Sequence, residues 1–226
     1  RARLPQDPCV ILVGGIREKE TAVTSAQAAM TGHLLLTTVH ANDAVSAVAR
    51  LADMGLQYST ISQVMRGAIA QRLLRRVCTS CAEPVRGQLT PDEQRLTERH
   101  GIEPVVRAVG CTDCGFTGYR GRLPVNEVLV GGPRFQKAVE QRKGWATLFR
   151  VAQQGGMRSL HEVGLEWVTQ GKTTLVEVER VLGQGLEEGA GEIHAGPPRI
   201  LLVDDDEEAR LLMRPLPKRD GYHVEE

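Results

Sequence analysis

The sequence predicts an α/β fold built on a parallel sheet. A small metal-binding subdomain and a set of C-terminal helices extend it, and a second α/β unit begins near the end of the chain. Three observations carry this prediction. The apolar runs Val10 to Gly14 and His33 to His40 alternate with helix-favouring segments, the rhythm of parallel strands joined by crossover helices. Four of the five cysteines fall into two C-x-x-C pairs. A Gly-, Glu- and Pro-rich stretch, Gly183 to Pro198, then separates the first unit from a new strand-and-helix pattern.

Taken in order, Val10 to Gly14 is a continuous apolar run, as expected for a strand buried on both faces. Glu18 to Thr31 favours helix, with Gly32 placed to end it. His33 to His40 reads as a second buried strand. Asn42 or Asp43 is placed to cap a helix running to about Met54, which Gly55 ends. Ser59 to Leu74 reads either as a helix or as a helix leading into a strand. Thr90 to His100 is a charged helical insert that opens on Thr90-Pro91-Asp92-Glu93. The segment Gly118 to Val130 reads as a strand pair or a bent strand. Short helices follow at Arg134 to Gln141, Trp145 to Gln153 and Leu160 to Thr169. Thr173 or Thr174 then caps a fourth that carries Glu177 in its first turn.

The bulk numbers exclude several functions. Lys plus Arg and Asp plus Glu balance at 28 each, so no global field points to nucleic acid or an anionic membrane. Two Trp, three Tyr and three Phe supply too few aromatics for a base-stacking surface, and the cysteine region has no basic stripe. No apolar run approaches the ~20 residues of a membrane helix, so direct membrane insertion is not expected. The chain opens at Arg1 without a methionine or signal peptide and stops as a strand begins, so it reads as a fragment cut at both ends.

Cys78-x-x-Cys81 and Cys111-x-x-Cys114 are separated by 29 residues. Each C-x-x-C turn aims two thiolates at one point, and two turns complete a tetrahedral S4 cage that suits Zn²⁺. Such a cage has no open position, so its role is structural. Unrelated thiols or a redox pair are the other readings of the same residues. Cys9, left over, reads as an ordinary thiol in a reducing compartment.

Ligands of open parallel sheets bind beyond the carboxyl ends of the strands. There the chain offers Gly14, Gly15, Thr37, Thr38 and His40. A small backbone with a histidine suits a phosphate, although the spacing is also that of a satisfied structural histidine.

These segments carry a resemblance. Asp7 to Gly55, with its Gly-Gly-Ile-Arg, Thr-Gly-His and His-x-Asn-Asp elements, resembles the secretion ATPase family that drives type II secretion and type IV pilus assembly. "AQRLLRRVC", both cysteine pairs, "TGYRGR" and the helices through Leu182 are similar to the same family's C-terminal portion, most of all to its cysteine-bearing assembly and secretion members. The resemblance implies a partial RecA-like P-loop NTPase core over residues 1–77. A tetracysteine zinc subdomain over 78–130, a helical region over 131–182 and a linker over 183–198 follow. It also implies ATP with Mg²⁺ as cofactor beside Zn²⁺. Gly14 matches the Walker B glycine, His40 the histidine that senses the γ-phosphate, and His33 the first histidine of the box, with a structural or subunit-contact role. Gly15 departs from the pattern, since it stands where the family has its catalytic glutamate. Glu18 and Glu20 lie a turn further on. No P-loop G-x-x-x-x-G-K-[ST] occurs in the chain, so the fragment alone is not expected to hydrolyse ATP. The family further implies a hexameric homo-oligomer. It would sit in the cytoplasm, peripheral at the inner membrane, docked through platform proteins of the secretion or pilus machine. The other reading of Gly15 is a degenerate, non-enzymatic regulatory or scaffold member.

Residues 199–226 are similar to the opening of a flavodoxin-like response-regulator receiver domain. Asp204, Asp205 and Asp206 follow a strand, where clustered carboxylates suit Mg²⁺ or simply a helix N-terminus. The resemblance implies that Asp204 and Asp205 form a Mg²⁺-binding pair and that a histidine kinase feeds the domain through a phosphorelay. Pro215 and Pro217 depart from a regular first helix.

Overall fold

Alternating apolar positions lay out the elements of the computed structural model, which describes residues 9–183, 199–201 and 223–225. β1 (Val10–Val13) leads to α1 (Lys19–Met30), which returns the chain to β2 (Leu34–Thr37). The strands lie parallel, with Val10 opposite Leu34 and Val13 opposite Thr37. Ala22 and Ala26 of α1 pack with Val13 and Val23 in the core beneath them. The expectation of burial on both faces is corrected here. Val10, Leu12, Leu34 and Leu36 point outward and are exposed, Leu12 by 78%, because among the described residues no element covers that side. β2 is also shorter than its apolar run, stopping at Thr37 before a loop that carries His40.

α2 (Ser46–Asp53) begins where Asp43 accepts hydrogen bonds from Ser46 N–H and Ser46 Oγ–H, both at 2.7 Å, so Asp43 rather than Asn42 is the capping side chain. α3 (Tyr58–Val64) is followed by β3 (Gly67–Val77), the helix-then-strand form of the two alternatives. An insert follows: β4 (Ala82–Pro84), α4 (Pro91–His100) and β5 (Val106–Ala108), with β4 and β5 antiparallel. The chain returns as one long strand, β6 (Tyr119–Val130), antiparallel to β3 from Gly67 opposite Val130 to Val77 opposite Tyr119, with a bulge between Arg75 and Val77. Helices α5 (Pro133–Glu140), α6 (Trp145–Gln154), α7 (Leu160–Thr169) and α8 (Leu175–Leu182) complete the unit.

The β3–β6 ribbon carries two cores on its inner face. At one end Leu129 joins Val45, Val48, Ile61, Phe135, Val139 and Leu148. At the other, Leu74 and Val125 join Leu165, Val168, Leu175 and Val178. Gly164 lets α7 and α8 approach, since a Cβ there would stand 2.7 Å from Leu182 Cδ1. In the C-terminal unit, β7 (Arg199–Leu201) and β8 (His223–Glu225) pair in parallel, Arg199 opposite His223. Asp204, Asp205 and the helix expected after them lie outside the described residues.

Glu177, fully buried in α8, ties this helix to the ribbon. It accepts hydrogen bonds from Arg75 N–H and Arg75 Nε–H, both at 2.8 Å, and from Arg180 Nε–H and Nη2–H at 2.8 and 2.7 Å. Burial pushes its carboxyl up, but the guanidinium donors of Arg180 and Arg75 outweigh this and hold it at about 2. Ionised Glu177 therefore stabilises the fold above the unfolded-state value of 4.5, and this contribution is lost as pH falls from there toward 2. Glu177→Gln should cost about 1.5–3 kcal/mol at neutral pH, since two partly exposed arginines lose their hydrogen bonds to a charged acceptor. Urea unfolding at pH 7 and pH 3 measures both effects: the gap between wild type and variant is large at pH 7 and shrinks at pH 3.

Candidate metal centre and strand-tip site

The open end of the ribbon brings the four cysteines together. Cys78 directly follows β3, and its N–H donates to Gly118 O at 2.9 Å just before β6. Cys81 N–H and Ala82 N–H fold back on Cys78 O. On the other side a 3-10 turn, Thr112–Cys114, ends at Gly115 in the left-handed region. The four sulfurs lie within 4.8 Å of one another. Cys78–Cys111 and Cys81–Cys114 are 3.9 Å apart and Cys111–Cys114 3.8 Å. A tetrahedron with Zn–S bonds of about 2.3 Å has edges of about 3.8 Å, so the cage fits zinc.

Backbone donors complete the arrangement. Gly110 N–H reaches Cys81 Sγ at 3.3 Å, Cys111 N–H reaches Cys114 Sγ at 3.2 Å, and Gly118 N–H reaches it at 3.3 Å. Burial alone raises the Cys114 thiol, but the N–H groups of Cys111 and Gly118 bring it down to about 6. Burial and the neighbouring thiols push Cys81 up to about 12. A bound zinc would draw all four to thiolate and supply structural cross-linking only.

The insert is anchored to this centre and to the helices behind it. Thr90 and Glu93 form a capping box at the start of α4, and Gly101 ends the helix in the left-handed region. Arg107 of β5 donates to Glu93 through Nε at 2.6 Å and Nη2 at 2.7 Å, which is the main reason the Glu93 carboxyl falls to about 2. At the far end of α4, His100 Nε2 lies 2.9 Å from Glu179 Oε2 and His100 Nδ1 2.9 Å from His161 Nε2, while Arg99 pairs with Glu179.

At the strand tips, Ile16 N–H donates to Thr38 O at 3.0 Å, which ties the end of β1 to the end of β2. Gly15 stands in this junction at φ +148°, a conformation that favours glycine, and a Cβ on it would lie 3.4 Å from Thr38 Oγ1. Gly14 has open space around it. His40 is exposed two residues beyond Thr38, on an open cleft of about 450 Å³ that is lined also by Val39, Ala41, Asn42 and Arg72. His33 lies at the opposite end of β2. Its Nδ1 is 3.0 Å from Ala28 O and 3.0 Å from Thr31 Oγ1, so it serves the end of α1 and not the tip.

Sequence reasoning missed the residues that hold the His40 loop. Arg72 Nη2–H donates to Asn42 O at 2.8 Å. Trp145 Nε1–H reaches the Asp43 carboxylate at 3.2 Å. Ala44 N–H donates to Glu127 Oε1 at 2.8 Å. A readable signal existed: Arg72 and Glu127 are polar residues that alternate with apolar inward neighbours along their strands.

Residues 1–180 match the family described as type II/IV secretion system protein. The chain is 44% identical over 181 residues to the type II secretion system protein HxcR of Pseudomonas aeruginosa, covering 80% of this chain and 35% of that protein. It is 40% identical over 185 residues to the type IV pilus assembly ATPase PilB of Thermus thermophilus, 79% and 20% covered. It is 40% identical over 183 residues to the type II secretion system ATPase E of Vibrio cholerae, 80% and 36% covered. The chain thus spans about a third or less of the length of these relatives. Among solved structures, the pilus retraction motor PilT with bound ADP shares the fold at 23% identity and a TM-score of 0.55, with 80% of this chain and 41% of that chain covered. The ATPase DotB of Legionella pneumophila does so at 17% identity and a TM-score of 0.53, with 78% and 39% covered.

The sulfur geometry predicts one equivalent of zinc in protein purified under reducing conditions. Metal analysis should find close to one zinc per chain, and Cys111→Ser together with Cys114→Ser should abolish it. Less than half an equivalent in folded, reduced protein would contradict the S4 cage.

Proposed function

As the chain belongs to the type II/IV secretion system protein family, we propose that it is the C-terminal part of a hexameric ATPase motor that powers type II protein secretion or type IV pilus assembly. Residues 1–77 are its share of a RecA-like core, 78–130 its zinc subdomain and 131–182 its helical region. In this reading the phosphates of MgATP lie over Gly14 and Gly15, and His40 hydrogen-bonds a γ-phosphoryl oxygen from its loop. The zinc held by Cys78, Cys81, Cys111 and Cys114 fastens the insert and takes no part in turnover. The motor works in the cytoplasm against inner-membrane platform proteins.

Gly15 carries the mechanistic conclusion. Phosphoryl transfer depends on positioning and electrostatics, and a carboxylate at this place orients the attacking water. Glycine supplies no carboxylate, and its φ of +148° is a conformation that residues with side chains rarely adopt. A degenerate member that binds nucleotide and regulates or scaffolds its neighbours is therefore the second reading, favoured by this same residue. For residues 199–226 we propose the start of a receiver domain. Asp204 and Asp205 would be its Mg²⁺ pair and a histidine kinase its phosphodonor.

ATP turnover by the full-length protein and its Gly15→Glu variant tests the role of Gly15. Placing glutamate there forces the tip out of its glycine conformation, at about 1–3 kcal/mol of stability. Even so, turnover should rise by at least about tenfold, since one preorganised electrostatic group is worth about 10²–10³ in rate where it is well placed. Equal, robust rates in both proteins would show that Gly15 does not disable the site.

A further inference from the structure

Glu127 is 1% exposed, and among the described residues it has no ion-pair partner. Its two oxygens serve two different elements. Oε1 accepts from Ala44 N–H at 2.8 Å, four residues past His40, and Oε2 accepts from Leu160 N–H at 3.3 Å, the first residue of α7. Burial and the nearby carboxylates of Asp43 and Glu162 raise its pKa, while these two N–H groups lower it. An apolar residue would fit this inward strand position at far lower electrostatic cost. Glutamine would not replace it, because an amide offers one acceptor oxygen and would turn its NH₂ toward the other N–H. The carboxylate is thus matched to two converging backbone donors at helix-starting segments, where negative charge is favoured. Arg72, also at an inward position of the ribbon, acts on the same loop through Asn42 O.

We propose that Glu127 is a positioning residue for His40: its carboxylate locks the His40–Ala44 loop to the start of α7, so that the γ-phosphate-sensing histidine and the C-terminal helices move as one. This rests on the nucleotide-site reading given above. In that reading only a triphosphate reaches His40, so loosening the loop costs affinity for ATP and spares ADP.

The test uses the full-length protein and titrates Mg²⁺ with ADP and with a non-hydrolysable ATP in wild type, His40→Ala and Glu127→Gln. Wild type should prefer the triphosphate. Both variants should lose that preference by about tenfold, the worth of one hydrogen bond to a charged group, with ADP affinity unchanged. A merely structural Glu127 would weaken both nucleotides alike or neither, and either result overturns the proposal. If His40→Ala keeps the full preference, the nucleotide-site reading falls instead. Amide hydrogen exchange gives a second arm that leaves the buried acid in place. Trp145→Phe, which frees Asp43 from the indole N–H and leaves both carboxyl groups in place, should speed exchange at Leu160 through the shared carboxylate. Unchanged exchange at Leu160 would refute the coupling.

Discussion

The register of β3 against β6 is the constraint on which the first unit depends. Pairing from Gly67–Val130 to Val77–Tyr119 turns Leu74, Val125 and Leu129 into the two cores. It also places Arg75 N–H on Glu177 and delivers Cys78 to Cys111 at the open end. A slip of one residue in either strand would send its whole inner set to the outer face. Glu127 would then leave Ala44 and Leu160, and the His40 loop would lose one of its attachments.

Two buried carboxylates fix this ribbon to its surroundings by different physics. Glu177 is surrounded by the guanidinium groups of Arg75 and Arg180, which keep it ionised into acid. Glu127 has only backbone N–H donors and two acidic neighbours, and its pKa moves the other way. The first is a strong fastening between α8 and β3. The second couples a loop to a helix start through two backbone hydrogen bonds, with no ion pair among the described residues.

Much of this was legible in the sequence. The paired cysteines announced the sulfur cluster because a C-x-x-C turn converges its thiols whatever surrounds it. Thr90-Pro91-Asp92-Glu93 marked the start of α4 through local hydrogen bonding alone. Burial of β1 and β2 was misjudged, since an apolar run records what a strand can bury and not which faces the described residues cover. The attachments of the His40 loop were also missed. Ala44–Glu127 and Asp43–Trp145 join residues 83 and 102 positions apart, and periodicity carries no information about which distant partner an inward polar residue will find.

In the proposed reading the joined strand tips would form a phosphate site with His40 beside it and no carboxylate at Gly15. A structure of the full-length protein with Mg²⁺ and a non-hydrolysable ATP measures this most directly. The account predicts the γ-phosphate within hydrogen-bonding distance of His40, and no acidic side chain in line with it on the side of Gly15. A nucleotide bound away from Gly14 and Gly15, or Glu18 or Glu20 swung in to hold the attacking water, would contradict it.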